Sequence, residues 1–298
     1  MKRSDFLKHV ALLSAGTALA PKLAFYQDSP FTELRGGVGI FNMRGGTIGW
    51  MVTDDAIVAI DSQYADTAPD FLSGIGQFGG GPEKVLFNTH HHGDHTAGNK
   101  TFEDDGYRII AHEQVPDLQR RSAEAQDDAP EQAYAETTFD ESYELDLGES
   151  MVMAKYYGRA HTSGDSVIWL PDANIAHMGD LVFNRMYPFI DRNGGASIQG
   201  WIDLLESVAE EADSDTQFIF GHGNPDYGVT GSADDLHYMR DFLTELLEFT
   251  RQQIDEGKSR EEIMETTHLE AFPDHFSPSD FLSLSRNLDV AYRELTES

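Results

Sequence analysis

Short apolar runs separated by turns rich in Gly and Asp occupy the first part of the chain. The runs are GVGIFNM (37–43), TIGWMVT (47–53) and AIVAID (56–61), and they contain many β-branched and aromatic residues. Short apolar runs joined by tight turns are typical of consecutive antiparallel strands. The pattern therefore predicts that the fold begins with antiparallel β-structure.

The pattern then alternates between helical and extended segments. A helix is predicted around 65–77, followed by the apolar strand KVLFN (84–88) and, after another helix, the strand RIIA (108–111). Residues 122–142 are acidic and rich in alanine, which predicts a solvated helix or loop.

The second half of the chain repeats this scheme. Strands are predicted near 150–157, 165–170 and 174–178, a helix at about 200–211, and a further strand where QFIFGHG begins at residue 217. Two β-rich halves flanked by helices predict an α/β sandwich whose loops gather at one edge.

The chain from about residue 233 onward is predicted to be helical. Apolar residues recur there at intervals of three to four positions: Leu236, Met239, Phe242, Leu243, Leu246 and Phe249. We expect this face to pack on the protein's own core rather than on a partner. Because no linker rich in Pro, Gly or Ser interrupts the chain, we predict a single domain over 26–298 with a helical C-terminal extension.

The N-terminus has the layout of an export signal. Basic residues precede a short apolar run, Val10–Ala20, which is too short to span a bilayer. RSDFLK resembles the twin-arginine signal R-R-x-F-L-K, with Ser4 in place of the second arginine. We predict that residues 1–25 direct export to the periplasm or the exterior, with no stable membrane insertion after their removal. The alternative is a frayed helix on a cytoplasmic protein.

The charge balance is strongly acidic. The chain has 52 Asp and Glu against 21 Lys and Arg, for a net charge of −31. Such a protein repels nucleic-acid phosphates, so we expect no nucleic-acid partner. An acidic surface poor in lysine also indicates adaptation to high salt, where screening weakens self-repulsion. The alternative is an ordinary acidic soluble protein.

Cysteine is absent. Any metal ion must therefore be held by nitrogen and oxygen ligands.

The densest cluster of metal-binding residue types is NTHHHGDHTAGN, residues 88–99. Alternate side chains of an extended segment point to the same side, so His90 and His92 face together and His91 faces away. Asp94 and His95, beyond the turn, diverge from each other and suit a second ion. Imidazole is the commonest metal ligand, and the array predicts a metal site.

Two ions need more ligands than this segment supplies. His161 in GRAHTSGDSV and His222 in FIFGHGNP each lie in a glycine-flanked turn at a predicted strand end. Asp180 in IAHMGDLVF has a similar position, and its carboxylate could bridge two cations. The other histidines lack this setting, and we expect them to be packed or solvated.

Taken in order, THHHGDH, GRAHTSGD, HMGDLVF and GHGNP resemble the metallo-β-lactamase superfamily, over about residues 37–225. The resemblance implies an αββα sandwich with a two-metal site at one edge. By position it implies one ion on His90, His92 and His161. The other ion would lie on Asp94, His95 and His222, with Asp180 bridging.

The resemblance also gives a supporting role to Asp61, at the end of AIVAID. A carboxylate that accepts an imidazole N–H orients the ring and selects its tautomer, which helps the ring to bind a metal. The alternative is an aspartate that only stabilises a strand-end turn.

Two divalent ions, with zinc expected, polarise a carbonyl oxygen and supply hydroxide at neutral pH. We therefore expect hydrolysis of a small ester, thioester, lactone or amide by a metal-bound hydroxide. Asp94 and Asp180 are the expected catalytic carboxylates, since they could orient the hydroxide or accept its proton. Many zinc β-lactamases of this superfamily have cysteine or serine where Asp180 stands, so a dedicated β-lactamase is the alternative rather than the first expectation.

Two further classes stay open from the sequence. One is a non-catalytic metal-binding accessory protein, although a structural zinc site needs only four ligands and no open position. The other is an iron-dependent redox enzyme, a branch that typically has glutamate where this chain has His92.

Residues 183–197, FNRMYPFIDRNGGAS, follow Asp180 closely. Arg185, Tyr187 and Arg192 are candidate substrate-binding residues, because an arginine beside the site could attract a substrate carboxylate. The alternative is a structural loop whose arginines pair with local acids. The small-molecule substrate and the oligomeric state are left open.

Overall fold

Two β-sheets form the centre of the protein. The computed structural model describes residues 29–125 and 131–297, so the predicted export signal lies outside the described residues. The first sheet contains seven strands in sequence order. They are β1 (Phe31–Glu33), β2 (Val38–Phe41), β3 (Ile48–Val52), β4 (Ala56–Ile60), β5 (Glu83–Asn88), β6 (Arg108–His112) and β7 (Thr137–Phe139).

Strands β1 to β4 are antiparallel, as predicted for the start of the fold, and β4 to β7 are parallel. The second sheet has the order β15-β13-β11-β10-β9-β8, and β12 pairs with β14 beside it. These strands are β8 (Ser142–Asp146), β9 (Met151–Lys155), β10 (Val167–Leu170), β11 (Ile175–His177), β12 (Phe183–Asn184), β13 (Gln217–Ile219), β14 (His222–Gly223) and β15 (Thr230–Gly231).

The described part of the chain contains eight α-helices. They are α1 (Ala68–Ile75), α2 (Gly93–Thr96), α3 (Asn99–Asp104), α4 (Val115–Glu124), α5 (Ile198–Glu211), α6 (Ala233–Asp255), α7 (Arg260–Met264) and α8 (Leu284–Thr296). Among them no helix has the length and apolar character needed to cross a membrane.

Alternation along the strands divides the core into layers. In β4, Val58 and Ile60 face the second sheet, whereas Ile57 and Ala59 pack in the layer that contains Phe71 of α1. Successive side chains of a strand point to opposite faces, so an apolar run without polar positions is buried on both. The apolar run of β4 therefore marks a strand covered by the other sheet on one face and by helices on the other.

The second sheet is covered in the same way. Ile168 and Leu170 of β10 face the first sheet, while Val167 and Trp169 pack in the layer that includes Trp201 of α5. Helices α5 to α8 contribute buried residues to this outer layer. The predicted αββα sandwich with extra C-terminal helices is confirmed.

The apolar face of α6 packs on this core, as predicted. The buried residues of this face are Leu236, Met239, Phe242, Leu243 and Leu246, and Phe249 is partly buried against the same cluster. Helix α6 begins at a capping box on Ser232, whose side chain accepts a hydrogen bond from the backbone while Asp235 bonds back to the Ser232 N–H.

Five of the described strands were not predicted: β1, β7, β8, β12 and β15. The prediction of solvated helix or loop for 122–142 is wrong over its C-terminal part, because Thr137–Phe139 joins the first sheet beside β6. Phe139 is buried there, but the acidic residues around it obscure the short apolar signal. Residues 126–130 lie outside the described residues.

The strand directions bring several loops to one edge of the sandwich. Strands β4 and β5 are parallel, so their carboxyl ends lie side by side. In the second sheet β9 and β11 are each antiparallel to β10, and β11 is parallel to β13. The loops that follow β9, β11 and β13 therefore leave from a common edge.

Candidate metal centre

The loops at this edge carry the predicted ligands. Those of NTHHHGDHTAGN follow β5, His161 follows β9, Asp180 follows β11 and His222 follows β13. Residues far apart in the chain therefore meet because each stands just beyond the carboxyl end of a strand. Three groups of side chains among the described residues have the composition and proximity of metal sites. Two consist of the predicted ligands: His90, His92, His161 and Asp180 form the first group, and Asp94, His95 and His222 form the second. The other joins His91 and His92 to Asp191.

In the first group three imidazole nitrogens converge. His92 Nδ1 lies 3.0 Å from His90 Nε2 and 3.0 Å from His161 Nε2. Tetrahedral zinc with Zn–N bonds of 2.0–2.1 Å would separate neighbouring ligand nitrogens by about 3.3 Å. The observed spacing is therefore close to what one ion requires.

Hydrogen bonds on the far side of each ring assign the tautomers. His161 Nδ1 lies 2.7 Å from the Phe189 carbonyl oxygen, which can only accept, so Nδ1 carries the proton. The Thr89 hydroxyl donates to Asp61 Oδ2 at 2.8 Å and accepts from His90 Nδ1 at 3.0 Å. In both neutral rings the lone pair is consequently on Nε2 and points into the group.

His92 is oriented the other way round. Its Nε2 donates to Asp191 Oδ2 at 3.0 Å, so the lone pair of the neutral ring is on Nδ1. Three lone pairs thus face one another at hydrogen-bond distance without a proton between them. A cation relieves that repulsion, and the group fits a divalent metal ion.

The second group surrounds a neighbouring position. His222 Nε2 lies 3.0 Å from Asp94 Oδ2 and 3.4 Å from His95 Nε2. His95 Nδ1 donates to Asp61 Oδ2 at 2.7 Å, which leaves the lone pair of the neutral ring on Nε2, on the side of this group. The mixture of two imidazoles and one carboxylate is a donor set that zinc accepts.

Asp180 lies between the two groups. Its Oδ1 is 3.0 Å from His95 Nε2 and 3.4 Å from His222 Nε2. Its Oδ2 is 3.8 Å from His90 Nε2 and 3.7 Å from His161 Nε2. Oδ1 is buried and has no hydrogen-bond partner among the described residues, which is costly for an anionic oxygen unless a cation satisfies it. Each oxygen therefore faces a different group, as in a bridging carboxylate.

Electrostatics at this edge favour positive charge. Burial would lower the pKa of His95, but the carboxylates of Asp180, Asp94 and Asp61 raise it well above its usual value. Burial would raise the pKa of Asp94, yet the charge of His95 and the hydrogen bond from His222 lower it to about 2. By contrast, burial and the neighbouring His92 lower the pKa of His161 to about 3. Asp94 is thus ionised and His161 is neutral, the states in which each binds a metal.

Asp61 lies directly behind the ligands. Its carboxylate accepts hydrogen bonds from His95 Nδ1 and from the Thr89 hydroxyl, and also from the Thr89 backbone N–H at 2.8 Å. The side chain is fully buried. Its backbone has φ of 65°, a left-handed conformation that aspartate tolerates better than most residues. Such geometry suits the predicted supporting role, which stays a prediction.

His91 does not join the two groups of the predicted ligands. It is buried, and its Nε2 lies 3.4 Å from Asp191 Oδ2 on the far side of His92. His91 shares Asp191 with His92, and the absence of a metal-binding role for His91 stays a prediction.

Asp191 is a residue that the sequence analysis did not identify. It contacts both His91 and His92, and its Oδ1 accepts the Gly194 N–H at 2.9 Å. Burial would raise the pKa of Asp191, but the hydrogen bonds from His91 and His92 hold it well below its usual range. The only signal in the sequence is an aspartate three residues before a glycine, directly after the apolar run 186–190, and such a pattern is common in turns.

The structure does not bring the three candidate substrate-binding residues to the site. Arg185 pairs with Asp235, Arg192 pairs with Glu297, and Tyr187 is buried against the C-terminal helices. Local acids hold both arginines, the alternative considered for this segment. The short run of sequence between Asp180 and these residues does not reveal that the chain turns away from the metal groups.

An open cavity of about 600 Å³ adjoins both groups. Asp94 and His222 reach it from the second group, and His92 and Asp180 from the first. The rest of its lining is mainly aromatic, aliphatic or amide: Tyr64, Thr96, Ala97, Gln119, Ser122, Ala123, Gln132, Phe183, Phe189, Phe281 and Leu282, with Gly93 and His91. A ligand in this cavity would therefore reach the potential ligand atoms directly.

Comparison with known proteins agrees with this architecture. The sequence profile described as the metallo-beta-lactamase superfamily matches residues 48–240, which include every predicted ligand. A type 2 metallo-beta-lactamase of Bacteroides fragilis is 26% identical over 167 residues, 56% of this chain and 57% of the relative. The alpha subunit of a 2,4-dinitroanisole O-demethylase from Nocardioides sp. (strain JS1661) is 26% identical over 133 residues, 44% of this chain and 39% of the relative. The matches therefore span less than two thirds of either relative.

Solved structures share the fold at low sequence identity. A double mutant of the sec-alkyl sulfatase PisA1 is 15% identical with a TM-score of 0.71, covering 89% of this chain and 50% of the sulfatase chain. A metallo-beta-lactamase from Pontibacter korlensis is 18% identical with a TM-score of 0.59, covering 72% of this chain and 98% of the other. At such identities the likeness concerns the fold alone.

Proposed function

This chain belongs to the metallo-β-lactamase superfamily, and from that premise we propose that it is a dinuclear metal-dependent hydrolase of a small ester, thioester, lactone or amide. The observation that carries the proposal is the position of Asp180. Its two oxygens face two separate groups of ligand atoms, and both groups adjoin an open cavity. A structural zinc site is closed by four ligands, so this arrangement supports catalysis rather than metal storage.

The two groups of side chains would each hold one metal ion, with Asp180 shared between them. Two divalent ions bound here, with zinc proposed, would polarise a carbonyl oxygen and lower the pKa of water. His90, His92, His161 and Asp180 would hold one ion; Asp94, His95, His222 and Asp180 would hold the other.

Asp94 reaches the cavity with about a quarter of its side chain exposed. Its low pKa keeps it ionised at neutral pH, so it can accept a hydrogen bond from water or substrate. Asp180 is buried and ionised, and it would hold both ions in one geometry.

β-Lactam hydrolysis is the second candidate, and the relative from Bacteroides fragilis motivates it. The same two groups of ligands would serve a strained amide as well as an ester. Asp180 argues for the first candidate, because a dedicated β-lactamase of this superfamily is expected to carry cysteine or serine there.

The test combines metal analysis with a substrate panel on one sample of the full chain. We expect about two metal ions per chain and hydrolysis of at least one ester, thioester, lactone or amide in a panel that includes β-lactams. Asp180→Asn should abolish turnover and retain part of the metal, whereas Asp203→Asn, on the exposed face of α5, should change neither.

Two results would contradict the proposal. Protein with two bound ions that hydrolyses nothing in the panel would favour an accessory role. Iron as the dominant metal together with oxygen consumption would favour a redox enzyme.

We also propose that the protein is exported, on the strength of residues 1–25. Fractionation of cells expressing the full chain should recover it outside the cytoplasm, with a mass reduced by removal of the signal. Full-length protein confined to the cytoplasm would contradict export.

A further inference from the structure

The cavity has an aromatic wall beside the metal groups. The rings of Phe189 and Phe281 are stacked with centroids 4.8 Å apart. The Phe189 ring lies 5.2 Å from the His92 ring, and Phe183 stacks on His222 at 5.3 Å. An apolar group of a ligand that reached the metal groups would therefore contact aromatic faces.

The described lining of this cavity includes no lysine or arginine. Two arginines that contact lining residues are already engaged. Arg44 lies over the Tyr64 ring at 4.0 Å and pairs with Asp66, and Arg286 lies over Phe281 at 5.2 Å, in the lining of a neighbouring depression. A buried anion needs a charged or hydrogen-bonding partner to offset its desolvation, and this wall supplies none of opposite charge.

Part of the wall comes from outside the matched family region. Phe281 and Leu282 follow residue 240, where the match to the superfamily profile ends. Backbone hydrogen bonds hold this segment against the loop after Asp180: Phe276 N donates to the Arg185 carbonyl at 2.9 Å, and Tyr187 N donates to the Phe276 carbonyl at 3.1 Å. Asn287 Nδ2 donates to the Pro188 carbonyl at 2.7 Å. The C-terminal extension is therefore placed to shape the cavity.

We infer that the substrate is an uncharged molecule whose aromatic or bulky aliphatic group packs against Phe189 and Phe281, so that the C-terminal extension determines specificity. This inference rests on the proposed hydrolase function and names its substrate class. Apolar cavities with few polar groups bind ligands mainly through such contacts. Phe281 is half exposed, so its contribution to binding can be removed with little effect on the folded core.

The test uses two esters of similar shape and different charge. These are 4-(methylsulfonyl)phenyl acetate, which is neutral, and 4-acetoxybenzenesulfonate, which is anionic and a weak metal ligand. Each rate is divided by the ester's own rate with hydroxide, which removes the difference in intrinsic reactivity. We expect the metal-loaded protein to prefer the neutral ester at least tenfold in kcat/KM.

Salt separates local recognition from the long-range effect of the net charge of −31. The Debye length falls from about 10 Å at 0.1 M to about 3 Å at 1 M salt. A preference that persists in 1 M KCl is due to the cavity. Loss of the preference at 1 M KCl would overturn the inference. So would faster turnover of the sulfonate ester than of the neutral ester, or faster turnover of a cationic ester with a trimethylammonio group in the same position.

Variants locate the preference in the aromatic wall. Phe281→Ala should raise KM for the neutral ester about tenfold with little change in kcat, because one aromatic contact is lost. Phe276→Ala is the matched control: Phe276 is also exposed and in the same segment, but it is not part of the lining. Arg44→Gln should leave kcat/KM unchanged for both esters. A selective loss of turnover of the sulfonate ester would show that Arg44 binds anions.

A binding measurement separates failure of this inference from failure of the hydrolase proposal. If neither ester is hydrolysed, methyl phenyl sulfone and benzenesulfonate are titrated calorimetrically into the metal-loaded protein. Tighter binding of the sulfone, weakened by Phe281→Ala, would support the inference without hydrolysis. Tighter binding of benzenesulfonate, or no effect of Phe281→Ala, would refute it.

Discussion

At the scale of single residues, the partner behind each imidazole decides which nitrogen faces the metal groups. A carbonyl behind His161, a threonine hydroxyl behind His90 and a carboxylate behind His92 each accept a hydrogen bond from the far nitrogen of the ring. Partners of this kind orient a ligand and increase its basicity. Asp191 is the most informative of them, because it selects Nδ1 of His92 where the other rings present Nε2.

Asp191→Asn tests that role. The amide keeps the size of the side chain, but it no longer offers a charged acceptor to His92 Nε2, so metal affinity should fall about 10- to 100-fold. Arg192→Gln is the control, since Arg192 is adjacent in sequence and bonds to Glu297 instead. Competition with a chelator measures the affinity; equal affinity in Asp191→Asn and the parent protein would remove Asp191 from the centre.

A second prediction compares the two central histidines of the array. His92→Ala should lose at least one ion per chain, because Nδ1 of His92 belongs to the first group. His91→Ala should keep its full metal content, because the Nε2 of His91 contacts Asp191 and not the converging lone pairs. Metal content of the two purified variants is the measurement, and an equal loss in both would refute the assignment.

At the scale of elements, turns beyond the strand ends place the ligands, and some of these turns have room only for glycine. Gly221, between β13 and β14, is such a position. A Cβ added there would lie 2.1 Å from Asp180 Oδ1 and 2.9 Å from the backbone of Gly179. The close approach of two loops thus brings the bridging carboxylate to the second group.

Gly221→Ala should therefore displace Asp180 and reduce turnover about 100-fold, as misplacement of a catalytic group by about 1 Å can do. Gly76→Ala is the control, because a Cβ at that position meets nothing within 4 Å. Activity and metal content are measured for both. Full activity in Gly221→Ala would mean that Asp180 has freedom to move.

The C-terminal extension contains a partly buried histidine, His275, that links the stability of the extension to pH. His275 stacks on Phe242 at 4.0 Å and on Tyr238 at 5.5 Å, and burial, together with the charge of Arg185, lowers the pKa of His275 to about 3. The unfolded value is about 6.5. Protons therefore bind the unfolded chain more readily, and stability contributed by neutral His275 is lost as pH falls from about 6.5 towards 3.

His275→Phe should remove this dependence. The variant and the parent protein should have similar Tm at pH 8, and the variant should melt a few degrees higher at pH 5, where charging His275 costs up to about 1.4 kcal/mol per pH unit. The difference between the two Tm values at each pH cancels effects of acid on the metal groups. A difference that does not change with pH would show that His275 carries no such penalty.

At the scale of the whole molecule, net charge dominates behaviour in solution. With −31 at neutral pH, self-repulsion opposes compaction, and added salt screens it. Tm should therefore rise between 0.1 and 1 M KCl at pH 7. The same change in salt at pH 4.5, near the isoelectric point, is the control, and there the rise should be much smaller. An equal rise at both pH values would point to a general salt effect rather than screening.

The candidate ligands that the fold brings together could be proposed from the sequence, in their order along the chain. Local chemistry is sufficient for that: cysteine is absent, histidines alternate in an extended segment, and aspartate and histidine follow apolar strands. The α/β sandwich was also predictable, because two β-rich halves are each flanked by helices, and the family resemblance implied the αββα order of its layers. Short strands amid acidic residues, such as β7, gave too weak an apolar pattern to be predicted.

Contacts between distant segments were decided only by the tertiary structure. Asp191 is 99 residues from His92 in the chain, and Phe281 meets Phe189 across a comparable distance. No local periodicity marks such pairs, because each residue also satisfies an ordinary local pattern, a turn aspartate or an apolar position. The sequence determined which groups could bind metal; folding determined how each imidazole is oriented and which side chains line the cavity beside them.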